Sequence, residues 1–140
     1  GEIAIELATA DPTYEDLARE ALEAHAGRAG SLGLEMAWWA DAALLVTAPS
    51  YTVVIAGDDA DPRTGALARC ALALRAPHVA IARVPAGGPD ANTASIAPIT
   101  AGKTARDGIP TAYVCREGAC NEPVQKDAEL RRQLLEGWTA

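Results

Sequence analysis

Tyr51-Thr52-Val53-Val54-Ile55-Ala56-Gly57 decides the fold of this chain. Apolar and β-branched residues fill consecutive positions, without the alternation of a half-wetted strand. Such a run predicts a short strand covered on both faces. Glycine ends it, and Asp58-Asp59-Ala60-Asp61-Pro62 follows. Asp61 is placed to cap a helix and Pro62 to open it, because the first helical residue needs no N–H to bond within the helix. Leu67, Cys70, Ala71 and Leu74 then recur at helical spacing. Pro77 stops that helix, and His78-Val79-Ala80-Ile81-Ala82-Arg83-Val84 reads as a second strand. Strand, helix and strand of these lengths make a βαβ unit, with a right-handed crossover expected.

Working outward, residues 85–110 are loop-rich, with Gly87-Gly88-Pro89 and a short helix expected around Ser95 to Thr100. Thr111 to Cys115 is the third strand. Asp127 opens a last helix with Leu130, Leu134 and Trp138 on one side, closed by Gly137. Towards the N-terminus, Thr13 follows Asp11-Pro12 as a cap, with Asp16 near the positive end of the helix. Tyr14, Leu17, Ala18, Ala21, Leu22 and His25 keep helical spacing, and Gly27 and Gly30 are expected to end it. A second helix from about Glu35 to Thr47 is apolar nearly all round, which implies burial on two sides. Residues 1–8 read as the inside of a helix without its cap, so a piece of a longer protein is expected. The expected fold is α/β: residues 50–140 form three short parallel strands flanked by helices, and residues 1–49 form a preceding helical hairpin.

Composition narrows the function classes. The 140 residues carry 12 Lys and Arg against 19 Asp and Glu, a formal charge of −7 with no basic run. Nucleic acid and anionic membranes are poor partners for such a surface, since their phosphates need Lys and Arg to displace counterions. Hydrophobic residues make up 49% but aromatics only 4%, so the core is aliphatic. No apolar run is long enough to span a bilayer. Three unevenly spaced cysteines do not make a secreted disulfide framework, which points to a reducing cytoplasm.

Cys115 and Cys120 are the first chemical candidates, one at a strand end and one beyond a loop containing Gly118. Structural thiols, a reversible disulfide and half of a metal site all fit that spacing. A metal needs two further ligands, and only Cys70, His25 and His78 remain. Cys70 lies on an apolar stripe, where a free thiol packs as a small hydrophobe. Asp58, Asp59 and Asp61 stand at the carboxyl end of the first strand, the usual ligand side of an open α/β sheet. They suit a Mg²⁺ ion, a sugar- or nucleotide-binding loop, or a plain turn and helix cap, although their negative charge and the lack of a glycine pattern or lysine argue against a phosphate cradle. Gly102-Lys103-Thr104 resembles the end of a phosphate-binding loop, but Ala97 occupies the position of its first glycine. Two unpaired histidines give no hydrolase constellation. No cofactor is expected.

The chain from Tyr51 onward resembles the C-terminal region of the spermatogenesis-associated protein 20 family, whose bacterial members are long thioredoxin-domain proteins of uncharacterised function. The resemblance rests on Val53-Val54-Ile55-Ala56-Gly57-Asp58, on Ala101-Gly102-Lys103, and on Thr111-Ala112-Tyr113-Val114-Cys115 with Cys120 and Pro123-Val124. Leu130 and Leu134 suit the family's closing helix. Residues 11–49, with Tyr14 and Asp41, resemble the last hairpin of its helical toroid. That toroid is similar to sugar epimerases, and the thioredoxin-like domain precedes it. The resemblance implies a structural, inter-domain region whose partners are those other domains. It also implies two alternatives: a thiol-redox element using Cys115 and Cys120, or a part of a carbohydrate enzyme.

Overall fold

A computed structural model describes residues 13–29, 37–47, 51–74, 79–116 and 119–136. Expectations for residues 1–8, Gly30, Pro77, His78, Gly118, Gly137 and Trp138 lie outside these. Two helices come first, α1 (Thr13–Ala29) and α2 (Ala37–Thr47). They pack on one another, and the Trp39 indole N–H donates to the Leu22 carbonyl at 3.3 Å. α1 runs through Gly27 rather than ending there. One interior glycine costs about 1 kcal/mol relative to alanine, too little to end a 17-residue helix.

The βαβ unit forms as the sequence predicts. Strand β1 (Tyr51–Ala56) leads to helix α3 (Pro62–Ala73), then to β2 (Val79–Val84), which pairs parallel to β1 from Tyr51↔Val79 to Ala56↔Val84. After β2 come a short helix α4 (Ala91–Ile96), a 3₁₀ turn (Pro98–Thr100), β3 (Thr111–Arg116), β4 (Ala119–Cys120) and α5 (Asp127–Glu136).

The sheet has four strands in the order β2–β1–β3–β4. It is mixed, not the three-stranded parallel sheet expected from sequence. β3 pairs antiparallel to β1, with Ala56 opposite Thr111 and Thr52 opposite Cys115. The connection explains the reversal. It leaves β2 at Val84, beside the end of β1, and re-enters the sheet at Thr111, beside that same end. A parallel third strand requires the chain to travel back along the sheet. Six-residue α4 is about 9 Å long at 1.5 Å per residue, whereas a six-residue strand spans about 20 Å. The connection returns to the end it left, so β3 runs the other way.

Both faces of β1 are covered, as its unbroken apolar run demands. Tyr51, Val53 and Ile55 join Ala112 and Val114 on one face, under Leu67 and Ala71 of α3 and Leu130 and Leu134 of α5. Val54 and Ala56 join Val84, Tyr113 and Cys115 on the other, with Ile99 packed against them. Each large aliphatic side chain buried this way contributes about 1.5–3 kcal/mol. The second face is roofed by the connection rather than by long helices. Polar ties hold that roof down. The Tyr113 hydroxyl donates to the Thr104 carbonyl at 2.6 Å, and the Ala105 N–H donates to Ala86 at 2.8 Å. Lys103 lies over the Tyr113 ring at 5.3 Å from its centroid.

Val54 has no exposed surface, so Val54→Asp places an unpaired charge in the layer formed with Ala56, Val84, Tyr113 and Cys115. The cost, about 3–5 kcal/mol, is a large part of the about 5–15 kcal/mol that holds a domain together. The variant is expected to be insoluble or to lose its cooperative denaturant transition, while Val54→Ala retains one at a lower midpoint. A soluble, cooperatively unfolding Val54→Asp protein contradicts burial of the second face.

Candidate functional site

Two places bring sequence-predicted site residues together. The first is a cleft of ≈ 420 Å³ at the carboxyl ends of β1 and β2, lined by Gly57, Asp58, Asp59, Arg83, Val84, Pro85 and Ala86. Asp58 and Asp59 belong to the lining, and Asp61 does not. Each carboxylate has a partner inside the protein. Asp58 Oδ1 accepts the Ala60 N–H at 2.8 Å, which forms a turn. Asp61 accepts the Arg63 N–H at 2.8 Å as the cap of α3, and Arg63 Nη2 also donates to it at 2.7 Å. Asp59 pairs with the Arg83 guanidinium.

Sequence reasoning passed over Arg83, reading it only as a strand residue. The parallel register supplies the missing signal. Arg83 stands opposite Ile55, two residues before Gly57, so its side chain comes out beside the acidic loop. Both members of the pair are exposed, and such a pair adds little to stability. It does offset one of the two negative charges in the cleft. Gly57 forms the floor. A Cβ there would overlap Thr64 Oγ1 and stand 3.0 Å from Pro110 Cβ, so only glycine permits this approach. The Thr64 hydroxyl is buried without a hydrogen-bond partner, wedged beneath that floor rather than facing the cleft.

The second place is the β3–β4 hairpin. Cys115 and Cys120 are opposite one another in the register and are joined as a disulfide, with Cα atoms 3.9 Å apart. The Asn121 N–H donates to the Val114 carbonyl at 2.9 Å, so the cysteines occupy the adjacent non-hydrogen-bonded site, where strands come closest. Cys115 is 2% exposed, whereas Cys120 lies at the surface.

The remaining candidates stay apart. Cys70 is a free, half-buried thiol that donates to the Asp127 carbonyl at 3.3 Å. Burial, reinforced by the nearby Asp127 charge, pushes its pKa up, away from a reactive thiolate. The His25 Nδ1–H donates to the Ala21 carbonyl within α1 at 2.9 Å. Gly102 turns with φ +70°, and the adjoining Lys103 covers Tyr113 instead of opening a helix. Tyr14 is half-buried and Asp41 exposed on their helices. Among the described residues, no three of His, Cys, Asp and Glu gather in a way that could hold a metal ion. Among them too, no helix is long and apolar enough to cross a membrane. Comparison with known protein families, with curated proteins and with solved structures finds no match.

The cap makes a pH prediction. Hydrogen bonds from the Arg63 side chain and backbone hold Asp61 below its ordinary 3.8. A depressed carboxylate stabilises the fold fully above its unfolded value, and that contribution fades as pH falls through the lowered native value. Asp61→Ala is therefore expected to lower the thermal midpoint at pH 7. The gap from the native chain should close as pH drops below 3.8. Melting curves across that range check it, and a gap that is constant with pH argues against the charged cap.

Proposed function

We propose that this chain is a structural, inter-domain α/β module of a longer thioredoxin-domain protein, of the family its sequence resembles. One observation carries this reading: the residues that bear the resemblance are mainly packing residues. Val53, Val54, Ile55 and Ala56 are fully buried in β1, as are Ala112 in β3 and Leu130 in α5. Val114, Cys115, Val124 and Leu134 are nearly so. By contrast, the two carboxylates at the cleft, Asp58 and Asp59, are engaged with neighbouring groups of the same chain. Residues committed to a core specify a shape rather than a reaction centre.

The helical pair α1 and α2 supplies a surface for that packing. Leu17 is 53% exposed and Leu44 54%, and apolar side chains of this size gain from cover. The neighbour proposed is the rest of the parent chain, its helical toroid first, within the cytoplasm. Mixed with the separately produced remainder, the chain is expected to co-sediment with it. The double variant Leu17→Asp/Leu44→Asp should abolish association and leave the melting of the α/β part unchanged. Sedimentation of the two pieces as separate species overturns the proposal. So does robust turnover by this chain alone that one substitution abolishes.

A second reading is favoured by the bonded sulfurs. Disulfides in reducing compartments are mostly transient and redox-active, so a Cys115–Cys120 pair in the cytoplasm serves as a thiol-redox element for the thioredoxin-like domain. It predicts half-oxidation inside the cytosolic glutathione range, about −220 to −320 mV. Counting thiols after equilibration in glutathione buffers tests this. A count that never rises from one to three across the range removes the redox reading and leaves the structural one standing.

A further inference from the structure

We infer that Cys120 is the sulfur at which an incoming thiol exchanges, and that Cys115 is the one released. This rests on the thiol-redox reading of the β3–β4 pair. The two sulfurs are chemically alike but differently placed. Cys115 is 2% exposed and packs in the cluster of Val54, Ala56, Val84 and Tyr113, with Ile99 against it. A thiolate can reach it only after its buried neighbours move aside. Cys120 is exposed on the two-residue outer strand.

Leaving-group chemistry pulls the other way. Charge on a released sulfur is better tolerated at the surface than among apolar side chains, which by itself favours attack at Cys115. Access decides, because attack requires contact with the sulfur before any leaving group departs. The scaffold also keeps Cys120 presented after the bond opens. Val124 and Ala112 exchange both backbone hydrogen bonds, at 2.8 and 2.9 Å. Asn121 remains bonded to Val114, and Gln133 Nε2 donates to the Glu122 carbonyl at 2.8 Å. The segment following Cys120 thus stays laid along β3 without help from the sulfurs.

The step balances with a cysteine-type thiol as co-reactant. Its thiolate attacks Cys120 Sγ, and the Cys115–Cys120 bond breaks. A mixed disulfide forms on Cys120, and Cys115 departs with the electron pair as a thiolate and takes a proton from water. A second thiol, such as the other member of a dithiol partner, then attacks the mixed disulfide. That leaves both cysteines of this chain reduced and the partner oxidised.

Arg116 lies between the two cysteines, so trypsin separates them into peptides 107–116 and 117–126. The oxidised native chain is treated briefly with reduced glutathione and quenched in acid. It is then unfolded, alkylated and digested. Glutathione on 117–126, with an alkylated Cys115 on 107–116, supports the assignment. Glutathione on 107–116 overturns it while leaving the pair redox-active. If neither peptide carries glutathione or a new thiol under any buffer, the thiol-redox reading fails and takes this assignment with it. The single variants add a check in the opposite direction, with oxidised glutathione as the probe. Folded Cys115→Ser protein is expected to take up glutathione at residue 120, and folded Cys120→Ser protein to stay unmodified at residue 115 until denatured. Equal uptake by the two folded variants also overturns the assignment.

Discussion

Burial of β1 on both faces is the constraint on which the other elements depend. A strand of six residues with no wetted side cannot sit at a surface, because each of its side chains must find apolar cover. One face is covered in the ordinary way, by α3 and α5 laying Leu67, Ala71, Leu130 and Leu134 on it. Among the described residues, the other receives no long helix. Its cover is an irregular connection whose backbone groups must be satisfied one by one. The Tyr113 to Thr104 bond, the Ala105 to Ala86 bond and the paired Thr111 contacts to Arg106 and Ile109 do this. The two layers thus differ in kind. One is held by shape, and the other by a series of placed hydrogen bonds.

Much of this was legible in the residues. Unbroken apolarity at 51–56 revealed a central strand, and Asp61-Pro62 located a helix start to the residue. The direction of β3 was not visible in its own residues, since Thr111 to Cys115 reads the same either way. Direction is fixed by where the preceding connection ends, which is a property of length and path. The information was nevertheless present indirectly. Residues 85–110 contain no helix-length amphipathic stretch, the usual form of the crossover that parallel strands need. Loop content, read as geometry, predicts the antiparallel return.

The candidate sites divide along the same line. The acidic loop and the cysteine pair stand out as residue types at a strand end, and both proved to be where folding brings groups together. Arg83 and Thr64 did not stand out, because each acquires its meaning from a neighbour distant in sequence. Arg83 meets Asp59 through the β1–β2 register. Thr64 meets Gly57 because α3 begins directly over the strand end it has just left. Local pattern finds the groups that define an element. It misses those that elements acquire by packing.

The layer held by placed hydrogen bonds has a consequence for the chain's sulfur chemistry. Cys115 belongs to the buried cluster of Val54, Ala56, Val84 and Tyr113, and Ile99 of the connection packs against that cluster. Loosening of that layer exposes the inner sulfur while the helical side stays packed. Amide exchange along residues 97–105 and the chemical fate of the inner cysteine are then two readings of one opening motion.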